Sequence, residues 1–149
     1  MMRIEYFIKA FTELNTTELY QILKLRSEVF VVEQRCAYQD IDDKDQDSYH
    51  LMCFVNDRLA GYTRLLPPGI SYVEPSIGRV VIHPDFRGLS LGKQLMENSI
   101  AACTELFESS AIRIGAQTYL KKFYTALGFI ETGAPYDEDG IPHIEMVRI

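Results

Sequence analysis

A turn rich in glycine and serine, residues 87–92, is the part of this sequence best suited to chemistry. Before it, residues 77–82 form an apolar, β-branched run that predicts a strand, and Pro84 ends that run. After it an amphipathic helix begins, so the turn presents unpaired backbone N–H groups at the positive end of a helix dipole. We therefore predict an anion-binding site at this turn, of a kind that suits a pyrophosphate.

The P-loop is the first phosphate-binding motif to compare with this turn. Gly88 and Gly92 are separated by three residues where the P-loop has four. Gln94 also occupies the position of the Ser or Thr that holds magnesium in that motif. The sequence therefore disfavours a P-loop.

The nucleophile elbow of serine hydrolases is a second comparison. Residues 88–92 match its G-x-S-x-G pattern with Ser90 as the nucleophile, and His143 follows in the expected chain order. An elbow serine stands directly at the end of a strand, however, and here Pro84 breaks the strand well before Ser90. A serine hydrolase that uses Ser90 is therefore a minor alternative.

Composition and charge narrow the classes of partner. The 149 residues suffice for one domain, residues 1–149, with a sizeable core. A formal net charge of −6 argues against nucleic acid and anionic membranes as partners. The sequence has no apolar run near the roughly 20 residues of a membrane span, and its start lacks the apolar segment of a signal peptide. Cys36, Cys53 and Cys103 are odd in number and widely spaced, which indicates reduced thiols in a cytoplasmic protein.

Hydrophobic periodicity predicts an α/β domain with one central, mainly antiparallel sheet. Asn56 and Asp57 predict a tight hairpin turn, and Gly128 predicts the end of a short helix. The predicted strands are residues 3–9, 49–56, 59–67, 75–82, 111–116, 129–133 and 141–148, and the predicted helices are residues 16–33, 91–107 and 117–127.

The first predicted helix carries two charged residues on or near its apolar stripe. Thr16 or Thr17 is its expected N-cap. Arg26 lies on the stripe, and Glu33 lies further along the same side. Two interpretations stay open: a partly buried ion pair between them, or a helix end that faces a substrate.

The loop after this helix is strongly acidic. A calcium loop is excluded because Ser48 stands where the motif requires Gly, and Phe54 stands where it requires Glu. We expect a solvated acidic loop, with a cation-attracting rim of an active site as the alternative. Its acidic residues are Asp40, Asp42, Asp43, Asp45 and Asp47.

The turn also resembles the acyl-CoA loop of the GNAT N-acetyltransferases, Gln/Arg-x-x-Gly-x-Gly/Ala. Arg87 and Gly92 fit that pattern, whereas Ser90 stands where the family usually has Gly. Glycine there allows close backbone approach to phosphate, or a φ angle that costs other residues energy. A second segment, residues 116–129, resembles the family's helix ending Phe-Tyr-x-x-x-Gly-Phe. Residues 19–42, 77–81 and 139–144 are further similar to the ElaA-type subfamily, so the resemblance covers essentially the whole chain.

The resemblance implies the GNAT fold, a mixed, mainly antiparallel sheet of six to seven strands that is flanked by about four helices and splayed between its fourth and fifth strands. It also implies a reaction, the transfer of an acetyl group to an amine. An amine of unknown identity, on a small molecule or a peptide, attacks the thioester of acetyl-CoA directly, and no metal takes part. Tyr124 matches the tyrosine that often protonates the departing thiolate. Backbone groups of residues 80–82 pair with the pantetheine arm. The implied CoA-binding residues are Val80, Val81, Ile82, Arg87, Gly88, Leu89, Ser90, Leu91, Gly92, Lys93, Gln117 and Tyr124.

The general base is not fixed by the resemblance. Many members use a Glu on the fourth or fifth strand, but Ser76 and Ile112 fall near those positions here. His143 is the best candidate by type because an imidazole titrates near neutral pH. A water that relays the proton to a distant carboxylate is an alternative. The side-chain candidates are Glu33, His50, His83 and His143.

Two further questions stay open at this point. A non-catalytic acyl-CoA-binding module is the main rival to an enzyme, because Ser90 departs from the loop pattern and the base is unassigned. The oligomeric state is also open, a homodimer included.

Overall fold

The computed structural model describes residues 2–149, which fold into eight strands and three α-helices. A π-helical segment, Ser27–Glu33, continues the first helix, and short 3-10 turns join other elements. The strands are β1 Ile4–Ala10, β2 Tyr49–Val55, β3 Arg58–Leu66, β4 Ser76–Ile82, β5 Ile112–Gln117, β6 Ile130–Glu131, β7 Tyr136–Glu138 and β8 Ile141–Arg148, and the helices are α1 Thr16–Arg26, α2 Leu91–Phe107 and α3 Lys121–Thr125.

The strands form two four-stranded antiparallel sheets where the sequence predicted one. The first has the order β1-β2-β3-β4, and in the second β8 pairs with β5, β6 and β7. The backbone N–H of Arg113 donates to the carbonyl of Pro75 at 3.0 Å, where β4 and β5 begin. From there the two strands belong to separate sheets, so the predicted α/β class and the opening between the fourth and fifth strands are confirmed.

The first helix begins one residue earlier than the expected caps. Asn15 is the N-cap: its side chain accepts from the backbone N–H of Glu18 at 2.7 Å, and Glu18 accepts in return from the N–H of Asn15 at 2.9 Å. This capping box satisfies two end groups at once, so the prediction of Thr16 or Thr17 was wrong. After Arg26 the helix widens into the π-helical segment, a geometry that is frequent at functional sites.

The core fills the space between the sheets and the helices. Leu95, Met96 and Cys103 of α2 are fully buried, as the apolar stripe predicted. They pack against β2 to β5 and β8, while Ile22 and Leu25 of α1 pack over the opposite face of the first sheet. The sheets and helices therefore hold both walls of the opening between β4 and β5 in place.

The chain after β5 departs from the prediction. The expected helix 117–127 is a 3-10 turn, Thr118–Leu120, followed by the one-turn α3, with Gly128 in a left-handed conformation beyond it. The expected strand 129–133 shortens to β6, and β7 was not predicted. Such short elements leave too few residues for a periodic signal.

Candidate active site

A cleft of about 930 Å³ lies between β4 and β5. β4 contributes all seven of its residues to the lining, and the π-helical segment contributes Val29, Phe30 and Glu33. A second depression of about 460 Å³ adjoins it at the start of α2 and is lined by residues of the 87–93 turn. Ile82, Arg87, Gly92 and Phe123 line both cavities, which therefore form one continuous groove.

A bulge interrupts β4 in the middle of the cleft wall. Tyr62 of β3 is opposite Val81 and Arg64 is opposite Gly78, so Thr63 faces two residues, Arg79 and Val80. Arg79 has φ +50°, a left-handed conformation that a non-glycine residue adopts only at a cost. The bulge bends β4 where it leaves β5, and the strand edge that faces the cleft has no partner strand in residues 2–149.

The turn before α2 has the geometry of an anion site. Gly88 has φ +82° and Ser90, the N-cap of α2, has φ +59° and ψ +23°. Ser90 thus adopts the left-handed conformation for which the related loop pattern uses glycine. Its side chain does not cap the helix. The first N–H groups of α2 therefore point toward the groove without a side-chain acceptor from Ser90.

The geometry of Ser90 differs from that of a nucleophile elbow. The 3-10 turn Pro84–Phe86 separates Ser90 from the end of β4. Ser90 is exposed at the surface of the turn and does not stand at the end of a strand. This arrangement favours a backbone role for Ser90 over a nucleophilic one.

Arg87 is tied to the π-helical segment. Its two terminal nitrogens donate to both carboxylate oxygens of Glu33, at 2.6 and 2.7 Å. These bonds hold the pKa of Glu33 below its ordinary value. Glu33 therefore lines the cleft as an ionised partner of Arg87, which makes it a weak acceptor for a substrate proton. The pairing of Arg26 with Glu33 that the sequence suggested does not form.

Tyr124 of α3 is buried and lines the cleft. It is 6% exposed and packs edge-to-face against Phe123 and Phe129, with ring centroids 5.1 and 5.9 Å away. Burial, with a smaller contribution from Tyr119, raises its pKa to about 12. Tyr124 therefore keeps its proton at neutral pH and can donate it to an anion formed in the cleft.

Gln117 and His143 lie side by side at the end of β5. They are opposite each other in the β5–β8 ladder, and both line the cleft. The Gln117 side-chain oxygen accepts from the amide of Gln34 at 3.3 Å, which connects β5 to the end of the π-helical segment.

His143 is oriented by three contacts. Its Nδ1 lies 2.7 Å from the carbonyl of Ile141, so Nδ1 carries a proton and donates. Its Nε2 lies 3.3 Å from a carboxylate oxygen of Glu138, and its ring stacks on Tyr136. Because the carbonyl fixes the tautomer, Nε2 is the nitrogen that can accept a proton from a substrate.

The other two histidines lie away from the cleft lining. His50 is fully buried: its Nδ1 lies 2.6 Å from the Tyr62 hydroxyl, and its Nε2 lies 2.9 Å from the carbonyl of Asp45. His83 lies in the turn after β4, where its Nδ1 accepts from the backbone N–H of Asp85 at 3.0 Å. Neither histidine lines the cleft, so their positions disfavour both as the base for a reaction there.

Two tyrosine hydroxyls close the cleft over Gly115 of β5. A Cβ at Gly115 would lie 2.6 Å from the hydroxyl of Tyr136 and 3.1 Å from that of Tyr72. Burial raises the pKa of both tyrosines, and nearby carboxylates, Glu138 and Glu145 among them, act in the same direction. A side chain at this position would displace the Tyr136 hydroxyl, a constraint that the sequence analysis did not identify.

The acidic loop is mostly not solvated, so the expectation of a solvated loop was wrong. Asp40 and Asp45 are buried and Asp42 is partly buried, whereas Asp43 and Asp47 are exposed. The three inner aspartates pair with arginines from α1, β3 and β4. An arginine on an apolar stripe, followed by a cluster of aspartates, was the sequence signal for this network.

A sequence profile of the acetyltransferase (GNAT) domain matches residues 13–149. The chain belongs to the GNAT acetyltransferase family. Protein ElaA of Escherichia coli is 42% identical over 139 residues, which cover 92% of this chain and 91% of that protein. The crystal structure of an acyl-CoA N-acyltransferase from Pseudomonas aeruginosa superposes with a TM-score of 0.93 at 40% identity, covering 99% of this chain and 100% of that one. That of Escherichia coli ElaA superposes at 0.92 and 40% identity, with the same coverage.

These similarities confirm the predicted resemblance to the GNAT family and to ElaA. The site therefore belongs to a fold that serves acyl transfer from acyl-CoA. Across residues 2–149, none of the helices is both long and apolar enough to cross a membrane. The same residues contain no group of three or more His, Cys, Asp or Glu side chains arranged to hold a metal ion.

Proposed function

We propose that this GNAT protein transfers an acetyl group from acetyl-CoA to a primary amine on a small molecule or a peptide. One observation carries the proposal: the unpaired edge of β4 and the hydroxyl-bearing Tyr124 line a single cleft, which is continuous with the depression at the turn before α2. In this proposal the groove supplies binding groups for a phosphate, an extended amide-bearing arm and a thioester. The related acyl-CoA N-acyltransferase of Pseudomonas aeruginosa supports the same donor class.

In this proposal the turn and the free strand edge hold the donor. Backbone N–H groups of residues 88–93 bind the pyrophosphate at the N-terminus of α2. The pantetheine arm, which has amide groups, pairs with residues 80–82 as an added strand. Arg87 contributes charge once a phosphate competes with Glu33 for its guanidinium, and Gln117 and Lys93 line the same groove.

The proposed chemistry is a direct displacement at the thioester carbonyl. The amine nitrogen forms a bond to the carbonyl carbon, the carbon–sulfur bond breaks, and the sulfur leaves as a thiolate. A backbone N–H beside the bulge stabilises the developing oxyanion. Tyr124 gives its proton to the thiolate, and the tyrosinate that remains regains a proton from solvent when the products leave the cleft.

His143 is the proposed base for the amine proton. Its Nε2 faces the cleft side of β8 beside Glu138, and its tautomer is fixed by the carbonyl of Ile141. The carboxylate of Glu138, 3.3 Å from that nitrogen, is placed to accept a hydrogen bond from it once the amine proton has arrived. The alternative route for the amine proton is a water molecule that carries it toward this pair.

The buried thiols of Cys36, Cys53 and Cys103 form no disulfide, which is consistent with a reaction in the cytoplasm.

The experiment combines ligand binding with turnover. Acetyl-CoA is expected to raise the melting temperature, because a ligand that binds the folded state alone stabilises it by mass action. A panel of primary amines is then assayed for release of free CoA thiol and for the acetylated product. Absence of both a melting shift and a calorimetric heat at millimolar acetyl-CoA would refute the proposal. Binding without thiol release on any amine would favour the non-catalytic binding module.

Tyr124→Phe tests the proposed acid without removing the ring from the core. We expect turnover to fall by about 10²- to 10⁴-fold while the dissociation constant for CoA stays within about threefold. Tyr119→Phe is the matched control, because Tyr119 lines the same cleft but is 72% exposed. Unchanged turnover in the Tyr124 variant would remove Tyr124 from the mechanism.

A further inference from the structure

A network of six charged groups, four of them buried, ends at the bulge of β4, and its Asp42, Arg64 and Arg79 line the cleft. Arg26 is fully buried, and its Nε and Nη1 donate to Asp40 and Asp45 at 2.8 Å each. Arg64 donates to Asp42 at 2.7 Å and to Asp45 at 2.9 Å. Three positive and three negative groups balance, so the network carries no net charge. Its members are Arg26, Arg64, Arg79, Asp40, Asp42 and Asp45.

Arg79 connects this network to the bulge. Its Nε lies 2.7 Å from a carboxylate oxygen of Asp40, and its Nη2 donates to the Asp40 carbonyl at 3.0 Å. The guanidinium also lies over the ring of Tyr38, 5.6 Å from its centroid. Asp40 is in turn fixed by Arg26 and by the Tyr38 hydroxyl at 2.8 Å, so Arg79 is anchored to groups that are themselves held.

The anchor explains why a non-glycine residue keeps the left-handed conformation at this position. Without a tether, a residue with a side chain would favour φ below zero, and β4 could regain a regular ladder with β3. With the tether, the extra residue stays out of the ladder, and residues 80–82 continue along the cleft wall in the register that the bulge sets. The network therefore sets the direction of the backbone that the proposed thioester arm would meet.

We infer that Arg79 is a positioning residue, through which the Arg–Asp network holds the β4 bulge in the shape that the reacting thioester requires. The effect of Arg79 on turnover rests on the proposed function, whereas its effect on the shape of the bulge does not. The alternative is that the network serves stability alone, in which case the bulge keeps its shape when Arg79 is removed.

The first experiment measures the bulge without any activity. Backbone amide hydrogen exchange is followed in the ligand-free protein for Arg79→Gly, which fits the left-handed φ but removes the tether. Amides of residues 80–82 are expected to exchange at least about tenfold faster than in the wild type, because local opening becomes easier. Amides of β2 are expected to be unchanged. Arg3→Ala is the control, since Arg3 pairs with Glu5 and Asp57 at the exposed end of β1, away from the cleft.

The second experiment separates the catalytic step from donor binding. Arg79→Gly is expected to lower kcat by about 10²-fold, the scale of a reactive-group misplacement of about 1 Å. The dissociation constant for free CoA is expected to change less than about threefold, since the anion-binding turn is intact. Added guanidinium ion is expected to restore part of kcat in this variant and none in Arg3→Ala. Arg79→Lys, which keeps the charge, replaces the glycine variant in both experiments if that variant does not fold. Its kcat is expected to lie between those of the wild type and Arg79→Gly.

The outcomes divide cleanly. Unchanged exchange of residues 80–82 in both Arg79 variants overturns the inference, whatever the turnover. Faster exchange with unchanged kcat also overturns it, because the bulge would then not matter for the reaction. If the wild type itself acetylates no amine, the proposed function fails, and the exchange measurement still decides whether Arg79 holds the bulge.

Discussion

Asp45→Asn tests whether the buried arginines and aspartates stabilise the protein as one coupled network. Asp45 is 5% exposed, and one carboxylate oxygen accepts from Arg26 at 2.8 Å and from Arg64 at 2.9 Å. Burial opposes its ionisation, but the bonds from the two arginines outweigh that effect and hold its pKa below the usual value. Asparagine keeps the size and one acceptor but removes the charge, which leaves an unbalanced positive charge in the interior.

The expected cost follows from the burial of both partners. Breaking one side of a buried ion pair costs about 3–5 kcal/mol, against a total stability of about 5–15 kcal/mol for a typical domain. For a chain of this length each kcal/mol lowers the melting temperature by about 2–4 °C, so a drop on the order of 6–20 °C is expected. The exposed pair of Arg58 and Asp85, 3.0 Å apart, is the contrast: Asp85→Asn is expected to cost about 0–1 kcal/mol.

Urea unfolding followed by circular dichroism, together with calorimetry, measures both variants. Combining Arg26→Met with Asp45→Asn restores charge balance, so the double variant is expected to lose less stability than the two single losses added together. A loss below about 1 kcal/mol for Asp45→Asn, equal to that of Asp85→Asn, would refute the account of the network as a coupled, desolvated unit.

Two further predictions concern the anion-binding turn and the effect of pH. Ser90→Gly removes a left-handed cost of about 1–2 kcal/mol and adds an unfolded-chain cost of about 0.5–1 kcal/mol, so the melting temperature is expected to hold or rise slightly and acetyl-CoA to bind equally or more tightly. A fluorophosphonate probe is expected to leave the wild type unlabelled, and stoichiometric labelling of Ser90 would favour the hydrolase instead. The free energy of unfolding, measured by urea titration, is expected to fall in two stages as the pH is lowered. Burial lowers the pKa of His50, so the unfolded chain takes up a proton first as the pH drops below about 6.5. Burial of Asp42 is outweighed by Arg64 and Arg79, and burial of Asp45 by Arg26 and Arg64, so the pKa of each carboxyl is lowered and stability is lost again as the pH falls through about 4. A single acidic transition in the wild type, identical to that of His50→Gln, would contradict the first stage.

Local features of the chain could be predicted because each depends on a few adjacent residues. The hairpin at Asn56 and Asp57 forms with both residues at positive φ, as that dipeptide predicts. The strand, turn and helix of residues 77–107 follow one another as predicted. An apolar run, a proline and an amphipathic stripe each involve residues that are close together in the sequence.

The contacts that shape the site join residues far apart in the chain. Arg87 and Glu33 are 54 positions apart, and the sequence paired Glu33 with Arg26 instead, its neighbour on the helix face. The widening of that helix into a π-helical segment changes which side chains share a face, so helical spacing alone misassigns Glu33. Burial of the aspartates likewise depends on arginines from three other elements, which no local count of charge reveals.

The sequence by itself determined the class of the domain, the hairpin at Asn56 and Asp57 and the strand–turn–helix order of residues 77–107, because hydrophobic periodicity and backbone preferences act within a few residues. The tertiary structure alone decided that β4 and β5 part into two sheets, that Arg79 adopts a left-handed conformation in a bulge of β4, and that His143 rather than His50 or His83 reaches the cleft. These features arise from desolvated ion pairs and strand registers, whose energies depend on the groups that folding brings together from distant parts of the chain.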